Sequence, residues 1–294
     1  MSVDLHCHTT ASDGTLTPRQ LYQRAHAKGV EILAITDHDT IAGFSWLQQH
    51  LPAEGPRLVP GIELSTRWSG IEVHIVGLNF DTTHASVGHI VDIQSQARQA
   101  RAKHIAGRLA KRLGSPWSSE GIIAEVLSLK KAAQRQNNDE CHLRDDEHQL
   151  GRPHFARWLV KTGIINDASN AFKKYLGNNK LGNLCAFWPG MSEGVARIRA
   201  LGGTAVLAHP GKYRMTRTRL RALITDFKYA GGHALEVSGG TTPHSQVQQL
   251  AGFCQEFGLK ASQGSDFHTP DNPWIELGKM PPLPASTSPV WENW

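Results

Sequence analysis

The run Glu31-Ile32-Leu33-Ala34-Ile35-Thr36-Asp37-His38-Asp39 decides the fold. Its apolar stretch is continuous rather than alternating, as in a parallel strand covered on both faces. It breaks off in Thr-Asp-His-Asp, so a buried strand delivers polar groups at its C-terminal end. Upstream, Thr17-Pro18 reads as an N-cap with proline at the first helical position, and Leu21, Ala25 and Lys28 continue a helix to Gly29. Before that helix, Val3 and Leu5 lead into His6-Cys7-His8. Strand side chains alternate, so both imidazoles face one side and can grip one ion. Asp13 follows on a Ser-Asp-Gly turn, close enough to add an oxygen ligand.

Downstream the alternation continues. A helix is expected over 41–50 and a strand over 58–65. A hairpin turn at Trp68-Ser69-Gly70 then leads into a strand over 72–78. From about 85 to 183 the strand signal disappears, and 87–113, 119–133, 153–162 and 167–176 have helical spacing. The polar stretch 134–149 reads as an exposed loop. Strands resume at 204–209, 233–238 and 259–263, with helices at 192–201, 216–230 and 243–257 between them. Such alternation, with polar residues at strand C-terminal ends, is the plan of an α/β barrel whose site lies on that rim. A doubly wound open sheet would open on a Gly-rich phosphate loop, which is absent. The reading is a barrel formed by 1–84 and 190–280, a helical insertion over 85–189 that covers the site, and an extended Pro-rich tail over 281–294.

Composition narrows the class. The chain has 294 residues, 39% of them hydrophobic, enough for one large barrel. No apolar run approaches the roughly 18 residues of a membrane span, and no signal-peptide core follows Met1. Cys7, Cys141, Cys185 and Cys254 have no paired spacing, which predicts free thiols and a cytoplasmic location. The net charge is +5 although several carboxylates are candidate metal ligands. The remaining surface is therefore more basic than the sum, which suits an anionic substrate.

Nine candidate ligands gather at strand ends: His6, His8, Asp13, His38, Glu63, His74, His209, Asp266 and His268. Imidazole with carboxylate suits zinc, manganese or iron rather than calcium. Nine donors exceed the four to six that fill one ion, so two or three ions sharing Glu63 is the economical account. Closely spaced divalent ions promote phosphoester displacement by generating hydroxide near neutral pH. No Gly-x-Ser-x-Gly elbow or Cys/His arrangement supplies a rival nucleophile.

Asp-Leu-His-x-His with Ser-Asp-Gly, Thr-Asp-His-Asp, Pro-Gly-Ile-Glu, His-Ile-Val-Gly, Ala-His-Pro-Gly and Gly-Ser-Asp-Phe-His resemble the successive motifs of the polymerase and histidinol phosphatase (PHP) family. Within it, Gly151-Arg152-Pro153-His154-Phe155-Ala156-Arg157, Phe172-Lys-Lys-Tyr-Leu176 and Trp274-Ile-Glu-Leu-Gly278 resemble the RNase AM / nucleoside 3′,5′-bisphosphate phosphatase branch. The resemblance implies a distorted (β/α)7 barrel holding three divalent ions, manganese first, with zinc or iron as alternatives. It implies that His6, His8, Glu63 and Asp266 hold one ion; Asp13, His38 and His268 a second; Glu63, His74 and His209 the third. Asp13, Glu63 and His209 would then carry the chemistry, in which a metal-bridging hydroxide attacks phosphorus.

The resemblance also speaks to substrate. The stretch 93–119 carries Arg98, Arg101, Lys103, Arg108, Lys111 and Arg112 and no acidic residue. In the branch, Arg98, Arg101, Arg152 and His154 would grip a 5′-phosphate, a task for which guanidinium is better shaped than ammonium. One geometry would then serve nucleoside 3′,5′-bisphosphates and short 5′-phosphorylated RNA degraded 5′→3′. A histidinol-phosphate-type phosphomonoesterase is the alternative, with an amidohydrolase or a non-catalytic nucleic-acid binder behind it. The chain departs from its relatives at Lys212, at Ser238-Gly239-Gly240 and over 178–187, none of them a proposed ligand. Trp46, Trp68, Trp117, Trp158 and Trp188 read as packing or rim residues rather than base-stacking platforms.

Overall fold

A computed structural model describes residues 1–136 and 149–294; most of the polar loop expected over 134–149, Cys141 included, lies outside the described residues. Seven strands stand in sequence order in one sheet: β1 (Val3–Asp4), β2 (Ile32–Ile35), β3 (Arg57–Trp68), β4 (Ile71–Leu78), β5 (Thr204–Leu207), β6 (Ala234–Gly239) and β7 (Lys260–Gly264). The sheet nearly closes. Leu5 N donates to Gln263 O at 3.1 Å, Gln263 Nε2 to Val3 O at 2.8 Å, and Cys7 bridges Phe267. Gly264 permits that closure, since a Cβ there would lie 2.3 Å from His6 Cβ.

The outer pairings are parallel, but β4 runs antiparallel to both β3 and β5. The cause is local. Ser69 (φ 44°) and Gly70 (φ 77°) form a two-residue turn with positive φ at both centres, which reverses the chain while keeping the strand twist. The barrel is distorted at this hairpin.

Helices α1 (Pro18–Ala27) and α2 (Ala42–Gln49) cover β2. Thr17 opens α1 with a reciprocal cap: its hydroxyl accepts from Gln20 N at 3.2 Å, and Gln20 Oε1 accepts from Thr17 N at 3.0 Å. Leu21, Ala25, Phe44 and Leu47 then pack with Leu33 and Ile35. Between β4 and β5 come α3 (Ser86–Leu113), α4 (Ser119–Gln136), α5 (Arg152–Lys161), α6 (Ala168–Ala171), a π turn (Phe172–Leu176), α7 (Asn178–Leu181) and a 3-10 turn (Leu184–Phe187). These segments share an apolar core of their own, including Ile105, Leu109, Ile122, Phe155 and Trp158. The first turn of α3 instead sends Val87 and Ile90 into the core outside the barrel. One rod of 28 residues thus ties the helical layer to the sheet. Helices α8 (Met191–Ala200), α9 (Arg217–Tyr229) and α10 (His244–Phe257) complete the outer shell.

The segment expected to run as an extended tail is docked instead. Ala261 N donates to Ser288 O at 2.9 Å, and a 3-10 turn (Val290–Asn293) buries Val290. With Trp291 and Trp294 it packs on Val3, Leu5, Val59, Val206 and Ala234, which line the end of the barrel opposite the ligands. Prolines prevent a ladder there but leave apolar side chains free to cover that end. Among the described residues no helix is long and apolar enough to cross a membrane.

Candidate metal centre

All nine expected ligands come together at one mouth of the barrel. His6 and His8 follow β1, His38 follows β2, His209 follows β5, and Asp266 and His268 follow β7. Glu63 and His74 are exceptions to the strand-end expectation: they sit inside β3 and β4. The hairpin extends past the rim, and its register sets Ser65 opposite His74, so mid-strand residues reach the same mouth. The loop bearing Asp13 is stapled to β2 by Asp37, whose carboxylate accepts from Thr9 N (2.7 Å), Thr9 Oγ1 (2.7 Å) and Ser12 Oγ (2.6 Å). Gly14 closes the turn, because a Cβ would lie 2.4 Å from His8 O. Asp39, His209 and Asp266 hold left-handed backbone (φ 60°, 32° and 55°), a strain that gathers where side chains must be aimed.

The donors converge at ligand spacing. Glu63 Oε2 lies 3.3 Å from His6 Nε2 and 3.3 Å from His8 Nε2; Asp266 Oδ1 lies 3.6 Å and 3.3 Å from the same nitrogens. Atoms bound about 2.1 Å from a tetrahedral centre stand about 3.4 Å apart, so this set fits a cation of that size. A second set joins His8, Asp13, His38 and His268, with His268 Nε2 3.4 Å and His38 Nε2 3.9 Å from the Asp13 carboxylate. Of the expected trio of Glu63, His74 and His209, His74 Nδ1 (2.8 Å) and His209 Nε2 (3.0 Å) both meet Glu63 Oε1; His38 also gathers with Glu63 and His74, and His6 with Glu63 and His209. Buried His6 Nε2, both nitrogens of His8, Asp13 Oδ1 and Glu63 Oε2 have no hydrogen-bond partner among the described residues. Leaving such atoms unsatisfied costs free energy that a cation would offset. The donor set fits divalent metal.

Electrostatics point the same way. Burial alone would raise Asp13, Glu63 and Asp266, but the histidines around each outweigh it and hold all three carboxyls well below the usual range. Burial, with His268 and His38 close by, pushes His8 down to about 3, so it is neutral and able to ligate.

Around the ligands stands a layer the sequence did not single out. Glu236 Oε2 accepts from His6 Nδ1 (2.8 Å) and from His209 N (3.0 Å), fixing two ligands with one carboxylate. Tyr213 Oη accepts from His74 N at 2.9 Å. Lys212, one of the departures noted above, pairs with Asp266. Asp39, fully buried, accepts from Ser65 N (2.7 Å), Gln94 Nε2 (2.5 Å) and Arg98 Nε (3.0 Å).

The expected phosphate-gripping residues divide accordingly. Arg98 is buried against Asp39, and Arg101 lies 3.4 Å from Glu72; both guanidinium groups sit over the buried Trp188 ring, at 5.3 and 5.0 Å. Burial with Arg152 and Arg98 nearby lowers Arg101 to about 10. His154 uses Nδ1 to accept from Gly151 N at 3.0 Å, capping its own helix, and burial drives its pKa well down. Arg152 lines an open cavity of about 820 Å³ together with Glu72, His74, His209, Lys212 and Arg219. His154 lines a smaller one of about 230 Å³ on the Asp13 side, with Ser12, Gly14 and Arg157.

Comparison with known proteins supplies the relatives. The PHP domain family matches residues 4–107. Over 290 residues the chain is 42% identical to a Haemophilus influenzae protein named 5′-3′ exoribonuclease, covering 99% of this chain and 98% of that one. It is 33% identical over 292 residues to the 3′,5′-nucleoside bisphosphate phosphatase of Chromobacterium violaceum, covering 99% and 96%. A solved Chromobacterium violaceum protein described as an amidohydrolase, with bound sulfate and no metal, superposes with a TM-score of 0.83 at 33% identity, over 99% of this chain and 95% of that one.

Proposed function

The chain belongs to the PHP-domain family, and from that premise we propose that it is a metal-dependent phosphoesterase acting on nucleic-acid phosphates. It removes the 3′-phosphate of nucleoside 3′,5′-bisphosphates and releases 5′-mononucleotides from short 5′-phosphorylated RNA. One observation carries the reading: a cluster of ionised carboxylates and unsatisfied imidazoles opens, through His74 and His209, onto a cavity walled by Arg152 and Lys212. Cationic walls beside metal ligands suit a phosphorylated substrate.

His6, His8, Asp13, His38, Glu63, His74, His209, Asp266 and His268 would hold up to three divalent ions, manganese before zinc or iron. Such ions would supply Lewis-acid charge at the phosphoester and lower the pKa of water. The chain supplies the rest. Glu63, with His74 and His209 at Oε1 and with His6, His8 and His38 around Oε2, keeps the ligands of neighbouring sets in register. Asp13 faces His268 and His38 in the second set; Glu236 holds His6 by Nδ1 so that Nε2 faces the cluster. Arg152 is the group that meets the 5′-phosphate, with Arg98, Arg101 and His154 bracing the roof behind it.

The test is phosphate release from adenosine 3′,5′-bisphosphate by manganese-loaded protein, with AMP and 3′-AMP alongside. Release from the bisphosphate, with AMP left intact, is the expected result. Equal rates on all three would favour a general phosphomonoesterase, and no release from any would sink the phosphoesterase reading.

A further inference from the structure

The acid-free stretch 93–119 continues well beyond the ligand cluster, and the proposed reaction on a bisphosphate makes no use of its outer half. Arg98 and Arg101 are buried at the roof, but Lys103, Arg108, Lys111 and Arg112, further along α3, are exposed. A second acid-free stretch, 168–192, packs against them and adds exposed Lys173, Lys174 and Lys180. The contacts are specific: His104 Nε2 lies 2.8 Å from Leu181 O, Arg108 Nη2 donates to Lys180 O at 3.4 Å, and the Arg112 guanidinium lies 4.7 Å over the Tyr175 ring. The fold therefore brings two segments without carboxylates into one basic surface.

This surface starts at the active site. Gly182 and Asn183, directly after Leu181, line the 820 Å³ cavity beside Arg152. From His104 at that rim to Arg112 the helix advances eight residues, about 12 Å. The basic residues of α9 differ: Arg221 pairs with Glu256, Arg217 lies over Phe253, and Arg219 donates to Ser69 O at 3.0 Å. Arg221 is thus ion-paired, whereas among the described residues no ion pair is found for Lys103, Arg108, Lys111 or Arg112.

We infer that the face formed by α3 and residues 173–180 is a track for single-stranded RNA leaving the cavity, and that it sets the preference for a polymer over a mononucleotide. This rests on the RNA reading proposed above. A bisphosphate fits within a cavity of this size, whereas most of an RNA of about a dozen nucleotides must lie outside it. A cationic groove bearing an aromatic ring is the usual means of following a sequence-independent single strand.

The experiment compares manganese-loaded wild type with the variant carrying Arg108→Gln, Lys111→Gln, Arg112→Gln and Lys180→Gln. Substrates are adenosine 3′,5′-bisphosphate and a 5′-phosphorylated RNA of about a dozen nucleotides, across a range of potassium chloride. Each lost phosphate contact on a single strand should flatten the log–log salt slope by about 0.7, so a change of about 2–3 is expected for kcat/KM on RNA. At low salt that rate should fall at least about tenfold, while bisphosphate turnover stays within about twofold. An unchanged salt slope with intact bisphosphate turnover overturns the track. So does an equal loss on both substrates, or a flattened slope produced instead by Arg217→Gln with Arg221→Gln. If wild type hydrolyses neither substrate, the failure belongs to the proposed function, and the track falls with it.

Discussion

The ligand cluster and the arginine roof above it are both buried and both charged, yet they are finished differently. In the cluster, His6 Nε2, His8 Nε2, Asp13 Oδ1 and Glu63 Oε2 end without hydrogen-bond partners. In the roof, Arg98 is matched by Asp39 and Arg101 by Glu72. The first gathers unpartnered histidine and carboxylate ligand atoms at one point; the second pairs its charges within the chain, although Arg101 Nε, Gln94 Oε1 and Trp188 Nε1 there have no hydrogen-bond partner among the described residues. Changes in the first should therefore spare the fold and stop the chemistry, and changes in the second should reach the fold.

The largest effect is expected in the cluster. Asp13→Ala or His38→Ala should lower kcat/KM by at least about a thousandfold, roughly 4 kcal/mol, with the thermal midpoint of the metal-free protein little changed. Wild-type turnover by either variant at saturating manganese would show that the second ligand set takes no part. Arg98→Ala comes next. It leaves the Asp39 carboxylate buried with its cation gone, at a cost of about 3–5 kcal/mol in urea unfolding. An unchanged unfolding curve, with only KM for 5′-phosphorylated substrates raised, would make Arg98 a direct phosphate ligand and erase the contrast between the two regions.

The same contrast explains what could be read from the chain alone. His6, His8, His38 and His209 each end a short apolar run, and Asp266 and His268 stand in Gly-Ser-Asp-Phe-His, so their chemistry and their position were visible together. The roof was not. Arg98 and Asp39 are 59 residues apart and Glu236 and His6 230 apart, and nothing in Ala-Leu-Glu-Val-Ser marks Glu236 as more than a strand residue. Such pairings exist only once the barrel has closed. His74 was recognised by type, but the reversal at Ser69-Gly70 put it mid-strand rather than at a strand end. The docking of the chain's end was not legible, because proline content reports what backbone ladders forbid, while the packing of Val290 and Trp291 is decided by the open barrel end they meet.

Glu236→Gln sharpens the comparison at the boundary between regions. The carboxylate is no ligand, yet it orients His6 and anchors His209. Losing it should weaken manganese affinity about 10–100-fold in a metal titration followed by calorimetry, with turnover recovering as manganese is raised. Turnover that stays low at saturating metal would mean that Glu236 acts on the reaction itself.

The smallest effect belongs to an ion pair that includes none of the proposed ligands, and it serves as the control. Glu276 takes Arg24 Nε and Nη2 at 2.8 Å each and Lys28 at 2.9 Å. Burial alone would raise its carboxyl, but these cations outweigh it and bring it down to about 2. Because the folded value lies below the unfolded one, the stabilisation is fully present above about pH 4.5 and is lost as pH falls towards 2. Glu276→Gln should therefore cost about 1 kcal/mol at neutral pH, limited by solvent screening, and progressively less below pH 4.5. Manganese should leave that difference unchanged, since Glu276 is satisfied by the chain. In the cluster the opposite holds: the carboxylates face histidines that must be neutral to bind metal, so added manganese should steepen the loss of stability on acidification. If manganese alters both regions alike, the division between a receiving site and a self-completed frame is wrong.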